Sequence, residues 1–350
     1  MPYKIVIRAP NHLGDCVMAL PMINEAREAY PGAEITLVVA ENLADLFVGN
    51  PSLDNILELK KEHVHGLMAV VKVKDLLAPH EFDVGYILPP SFGAAAGFKL
   101  AGVKERIGYI ADGRRMLLTR PLALPTPLNS EHRSELYFNL LRRGAETEID
   151  FFHPKLFQDD LQVERSMRLL LGYGVEADHD YAVIATRAVA ESRRWGVDRY
   201  TELIWRLVSE RGVKVVLVGS NDDREHNDEI IQSVGSDDVV NLSGRTSLRE
   251  TAAIMSNSNI FIGNDSGPAH LAAAAGCPIV VLSGADDPKS TSPISRRKEL
   301  LYLDHLECIS CVKNKCPLKG DEFMQCMTGI SVDMVMSAVD RQLQQPGPTD

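Results

Sequence analysis

Five near-continuous apolar runs recur along the second half of this chain: YAVIAT (181–186), VKVVLVG (213–219), DVVNLS (238–243), NIFIGN (259–264) and PIVVLSG (278–284). They do not alternate, so both faces of each strand expect burial. Helical segments are predicted between them, near 198–211, 223–234, 247–257 and 267–275. Strands of this kind, spaced by helices, leave one main architecture open: a parallel sheet covered on both faces. The first half is written in the same way. KIVIR (4–8), EITLVVA (34–40), NILEL (55–59), DVGYILP (83–89) and RIGY (106–109) read as strands. Helices are predicted over 13–30, where Pro21 is tolerated or kinks the helix, near 65–78, near 91–101 and over 131–144. The last of these is read as ending at Gly144 as its C-cap.

Between the halves the pattern breaks. FFHPKLFQDD (151–160) has no clear period and reads as a linker before a helix at 161–172. A chain of 350 residues, 45% of them hydrophobic, has the length and apolar content for two domains. They are assigned to 1–155 and 156–330. A final segment, 331–350, holds a helix (331–344) that could cross back to the first domain, and QLQQPGPTD reads as a frayed tail. The fold class is α/β, with two doubly wound parallel-sheet domains facing a cleft, and ligands are expected beyond the strands' C-terminal ends. No run approaches the roughly 18 apolar residues of a membrane span. The start MPYKIVIRAP reads as a first strand rather than a signal peptide, so a cytoplasmic protein is expected. A net charge of −11 argues against nucleic-acid partners and confines any membrane contact to a local basic patch.

Residues 260–284 carry the most chemistry. An apolar strand ends at Gly263, the polar cluster Asn264, Asp265, Ser266 and Gly267 follows, and then a small-residue helix and a second strand. The first amides of a helix have no partner within it, and the helix dipole adds partial positive charge there. Such a turn is a phosphate cradle. Pro268 falls in the first turn, where its missing N–H costs little, and His270 lies one turn beyond Ser266 on the same face. An ordinary capped helix in an α/β core has the same spacing.

Other turns follow other strands. Pro10-Asn11-His12-Leu13-Gly14-Asp15 opens the first long helix. Asp15 there could take a proton from an attacking hydroxyl, or could simply cap the helix. The stretch 186–195 places Arg187, Arg193 and Arg194 past a strand end, where guanidinium groups suit phosphate oxygens; a solvated basic loop is the alternative. Thr186 at its start could contribute a hydroxyl. Gly219 and Ser220 end the next strand, and Ser243 to Leu248, with Thr246, end the one after, where a base or ribose could pack. In the first half, Ser91, Arg114 and Arg115 lie on loops of the same side, and the arginines could meet an acidic acceptor.

Cys16 and Cys277 read as small core residues. Cys308, Cys311, Cys316 and Cys326 are spaced C-x2-C-x4-C-x9-C. That density suits a structural tetrathiolate for zinc or iron, with reversible disulfides or free thiols as the alternatives. In each case the cluster would pin a C-terminal loop.

Taken together, these pieces resemble the ADP-heptose:lipopolysaccharide heptosyltransferases, inverting glycosyltransferases of the GT-B fold built from two Rossmann-like domains. The strongest match is Gly263 through Ala274, close to the family's G-N-D-S/T-G-x-x-H-x-A-A-A signature. Leu13-Gly14-Asp15, Leu88 to Ser91, Ala101-Gly102, Arg106 to Tyr109, Val218 to Ser220, Asn241 to Gly244 and the cysteine-bearing tail also fit. The subgroup it looks most like adds the second heptose of the inner core. The resemblance implies that Asp15 is the general base and that Asp265, Ser266, Gly267 and His270 hold the diphosphate and sugar of ADP-heptose. It implies that Arg193 stands where the family usually has a phosphate-binding Lys. Many members have Pro-Gly-Ala where this chain has Ala185-Thr186-Arg187.

The expected activity is transfer of heptose from ADP-heptose to an acidic lipopolysaccharide core acceptor, with inversion. No cofactor is required for the transfer, and peripheral contact with the inner membrane's cytoplasmic face is expected. The alternatives are a GT-B transferase or epimerase using another nucleotide sugar, or a non-catalytic sugar-nucleotide-binding homologue. A dehydrogenase is disfavoured, since no G-x-G-x-x-G follows a predicted strand.

Overall fold

The computed structural model describes residues 3–60, 63, 66–127, 130–176 and 180–344. The chain divides into two compact units, Met1–Phe157 and Gln158–Asp350, and the division falls within the segment read as a linker. The first unit carries β1 (Lys4–Arg8), β2 (Glu34–Ala40), β3 (Asn55–Leu59), β4 (Val84–Ile87), β5 (Glu105–Tyr109) and β6 (Arg120–Leu122), in the spatial order β3-β2-β1-β4-β5-β6. The second carries β7 (Tyr181–Ala185), β8 (Lys214–Leu217), β9 (Val239–Asn241), β10 (Ile260–Asn264), β11 (Ile279–Leu282) and β12 (Lys298–Leu301), in the order β12-β11-β10-β7-β8-β9. Every pairing is parallel. The two orders are one pattern. Each unit starts in mid-sheet, winds outward through two strands, and returns to the other side of its first strand. Winding therefore reverses between β1 and β4 and between β7 and β10, and each reversal leaves a crevice at the strands' C-terminal ends.

The apolar runs are central strands. Ile5, Val6 and Ile7 of β1, Phe261 and Ile262 of β10 and all of β11 are completely buried. Each such side chain contributes roughly 1.5–3 kcal/mol by leaving water. The sheet edges β6 and β12 are not legible in the sequence. Each pairs on one side only, so β6 tolerates Pro121 and β12 (KELL) carries two charges.

The first long helix divides at Ala19 into Leu13–Met18 and Leu20–Ala29, with Pro21 in the first turn of the second piece, where no hydrogen bond is lost. The expected C-cap at Gly144 is corrected. The helix runs Arg133–Ala145, and its left-handed cap is Glu146 (φ 54°). Gly144 lies inside it, buried against Tyr86, and a Cβ there would stand 2.5 Å from the ring. The closing helix, Val332–Gln344, was expected as a candidate to cross back to the first domain. It packs within its own unit, on the helix Val197–Arg211 and on β11 and β12. Its Val335, Met336 and Val339 share a core with Trp195 and Leu203. From 345 onward the expected tail lies outside the described residues. Among the described residues, no helix is long and apolar enough to cross a membrane.

Candidate active site

In the second unit, the turn after β10 opens the helix Gly267–Ala274 at the C-terminal end of the sheet, beside the β7/β10 reversal. Ser266 is its N-cap (φ −158°, ψ 175°), and its hydroxyl donates to Asn264 O (3.1 Å) rather than to a helix amide. The Ala269 and His270 amides turn back to Ser266 O. Those of Ser266 and Gly267 find no backbone acceptor among the described residues. The turn therefore has the local form read for it, a helix N-terminus with two amides that take no backbone acceptor among the described residues. Asp265 is 4% exposed and accepts from Ser283 Oγ (2.9 Å). Burial, and then the neighbouring Asp286, push its pKa from 3.8 up to about 7. Ser283, Arg193 and Lys298 hold it down. His270 is buried one turn on.

Asn264 ties this turn to its neighbours. Wholly buried, it donates from Nδ2 to Thr186 O (3.2 Å) and accepts the Trp195 amide at Oδ1 (3.2 Å). It thus sets the 186–195 loop against β10. Trp195 is itself anchored, with Nε1 donating to Ile330 O (2.8 Å) and its ring edge-on to Tyr200.

Within that loop the expected residues take different parts. The Thr186 hydroxyl is spent inside the protein. It donates to Asn227 Oδ1 (2.6 Å), and Asn227 Nδ2 donates to Ser243 Oγ (2.7 Å). The Thr186 proton thus has a buried acceptor within the unit. Arg194 turns onto its own loop, donating to Ala188 O and Val189 O. Arg187 approaches Asp223 (3.7 Å), and Arg193 pairs with Asp286 (2.6 Å).

The Ser220 amide and hydroxyl both donate to Asp223 Oδ2 (2.8 and 2.7 Å). Gly219 and Gly244 bring the β8 and β9 turns together, since Gly244 N donates to Gly219 O (2.9 Å). Gly244 is left-handed (φ 65°), with Asn221 Cα 2.7 Å from where a Cβ would stand. Thr246 shares a hydrogen bond with Thr251 (2.8 Å) beside the Ser247–Glu250 capping box.

In the first unit, Asp15 lies in the first turn of Leu13–Met18. It makes no cap there; its Oδ1 lies 2.9 Å from Arg133 Nη1. His12 is exposed at the N-cap position. Beneath the turn lies a buried cation that sequence reasoning missed. Arg8 is 3% exposed and donates to Ala9 O, Val38 O and Asn11 Oδ1. Burial lowers its pKa to about 10. An Arg closing an apolar strand was its only sequence signal.

Arg114 and Arg115 take different places. Arg114 is 1% exposed, and its guanidinium is taken up by the carbonyls of Tyr109 (2.8 Å), Pro89 and Ile87 (3.3 Å). Its neighbour Arg115 is exposed. Ser91 caps the helix Phe92–Leu100, accepting from Ala94 N (3.3 Å).

Cys308 is exposed, while Cys311, Cys316 and Cys326 are half-buried. Burial first, and then the three neighbouring thiols, push Cys326 up to about 11. The four thus share one neighbourhood. Yet among the described residues no three His, Cys, Asp or Glu side chains are arranged to hold a metal ion, so the expected metal ligation is not assembled.

A family model described as glycosyltransferase family 9 (heptosyltransferase) matches residues 70–321. Lipopolysaccharide heptosyltransferase 2 of Salmonella typhimurium is 27% identical over 313 residues, covering 86% of this chain and 88% of that protein. The structure of Escherichia coli ADP-heptose lps heptosyltransferase II superposes with a TM-score of 0.81 at 23% identity, covering 97% of this chain and 98% of that one. A family 9 glycosyl transferase from Veillonella parvula superposes with a TM-score of 0.83 at 21% identity, covering 97% of each chain.

Proposed function

This chain belongs to glycosyltransferase family 9, the heptosyltransferases, and from that premise we propose that it moves heptose from ADP-heptose to an acidic lipopolysaccharide core acceptor, with inversion. The single observation that carries the donor half is the β10 turn. Two amides without a backbone acceptor among the described residues, Ser266 and Gly267, stand at the C-terminal end of a doubly wound sheet with the guanidinium of Arg193 near Asp265. That is the donor set a diphosphate requires.

In the proposed reaction the second unit holds the nucleotide, and Asp15 of the first unit serves as general base. The acceptor hydroxyl gives its proton to the Asp15 carboxylate as its oxygen bonds the anomeric carbon. The bond from that carbon to the diphosphate oxygen breaks, and ADP departs with the electron pair. The amides and Arg193 stabilise the charge that develops on the leaving group. Arg133 fixes the carboxylate's position and must release or share it when the acceptor binds. His12, Ser91 and Arg115, all exposed, are the candidates to meet the acceptor.

The four cysteines stay outside the reaction. Zinc or iron bound there would serve the fold of their segment, and the metal content of the purified chain decides between that and free thiols. Peripheral contact with the inner membrane's cytoplasmic face belongs to the same proposal, because the acceptor is amphiphilic.

Calorimetry against ADP, UDP and GDP, together with Asp15→Asn, tests the reading. ADP is expected to bind best. The variant is expected to keep ADP affinity while losing transfer by a factor of about 100 or more. Undiminished turnover in the variant removes Asp15 as the base, and a preference for UDP or GDP removes the donor.

A further inference from the structure

Arg193 and Asp286 form an ion pair that the reaction above does not explain. The Asp286 side chain is 9% exposed and that of Arg193 is 32% exposed, with Nη2 and Oδ1 2.6 Å apart. A carboxylate this buried costs several kcal/mol unless a cation answers it. Arg193 in turn depends on Asp286. Its Nε is buried and has no hydrogen-bond partner among the described residues. Among the described residues its guanidinium is held by no backbone carbonyl, whereas the adjacent Arg194 is held by two.

Both residues of the pair are fastened by a third segment, the one that carries the cysteines. On one side, the Ser192 amide donates to Asn314 O (3.1 Å) and its hydroxyl to Lys313 O. On the other, Ser310 N donates to Gly284 O (3.0 Å), Val312 N to Ala285 O (2.7 Å) and Ser310 Oγ to Asp286 O (2.9 Å). The turn bearing Arg193 and the turn bearing Asp286 are thus stitched to one strip of backbone. Their separation is set before any ligand arrives.

A guanidinium has five N–H donors, and a single carboxylate contact leaves others for a second anion. We infer that Asp286 is a positioning residue, which holds Arg193 in the orientation that receives the donor's diphosphate without itself touching the donor. The inference rests on the reading that Arg193 takes phosphate. It also assigns a sign to each partner. With Arg193 present, Asp286 orients it. With Arg193 neutralised, Asp286 has no guanidinium to orient, and its negative charge no longer serves an anion site.

The test is a double-mutant cycle on the full chain, read by calorimetry with ADP and with adenosine, which lacks the diphosphate. Asp286→Asn is expected to weaken ADP about tenfold and to leave adenosine unchanged. Asp286→Glu is expected to recover most of the ADP loss. Placed on Arg193→Gln, Asp286→Asn is expected to cause no further loss, because no guanidinium remains there to be oriented. Three results overturn the inference: unchanged ADP affinity in Asp286→Asn, equal loss of ADP and adenosine, or the same loss in both backgrounds. If Arg193→Gln alone leaves ADP affinity unchanged, the phosphate role of Arg193 fails first and the inference falls with it.

Discussion

At the scale of single residues, charge in this protein is governed by what surrounds it. Asp265 and Asp15 both stand in turns that open helices, yet one is sealed and the other, its side chain 19% exposed, keeps partial contact with water. Asp265 has its pKa raised from 3.8 to about 7, mainly by burial and next by Asp286. A carboxylate raised in this way is held as the acid more firmly in the folded state than in the unfolded one. Its contribution to stability is therefore complete below about pH 4 and is lost as pH rises towards 7. Asp265→Asn cannot titrate. The stability difference, wild type minus variant, is expected to fall between pH 4.5 and 7 and then to level off, in urea unfolding at a series of pH values. Parallel profiles would show that Asp265 is ionised normally. Arg114 teaches the same lesson from the basic side. Its sequence neighbourhood, GYIADGRR, describes a charged loop, and the fold turns one arginine into a clasp for three carbonyls while leaving the next in solvent.

At the scale of elements, two glycines in helices have opposite meanings. Gly144 touches the Tyr86 ring, and Gly172, at the end of the helix Asp160–Gly172, has nothing within 4 Å of its missing Cβ. Gly144→Ala is expected to destabilise by about 1–3 kcal/mol through overpacking. Gly172→Ala is expected to stabilise by about 0.5–1 kcal/mol, by restricting the unfolded chain. Thermal unfolding of the pair checks both, and two changes of the same sign would refute the packing account. The sequence marks each glycine only as a helix end. Whether such a glycine is packed or open depends on contacts far off in the chain, for Gly144 on a tyrosine 58 residues away (144 minus 86). The edge strands β6 and β12 were missed for a related reason. A strand with one neighbour need not look apolar, and its existence is decided by the strand beside it.

At the scale of the molecule, the chain is two units of one topology that have diverged in their turns. The residues proposed for the nucleotide all lie in the second unit, as do both tryptophans, Trp195 and Trp205. Tryptophan fluorescence therefore reports on the unit that should respond to ADP. At 100 times its Kd, ADP is expected to add about 2.7 kcal/mol to the unfolding free energy followed by fluorescence. A fluorescence midpoint that ignores ADP would place the nucleotide elsewhere. The alternation of buried strands with helices, the β10 signature and the Asp15 turn were all legible in the sequence, because parallel-sheet burial and a helix N-terminus each leave a local pattern of residue types. The pairing of Arg193 with Asp286, the loss of the Thr186 hydroxyl to Asn227 and the burial of Arg114 were not. Each is a contact between residues 25 or more positions apart, or a burial set by several strands at once. Hydrogen bonds and ion pairs of that range carry no periodicity that one stretch of chain can display; only the packed structure decides which polar groups are already satisfied and which remain for a ligand.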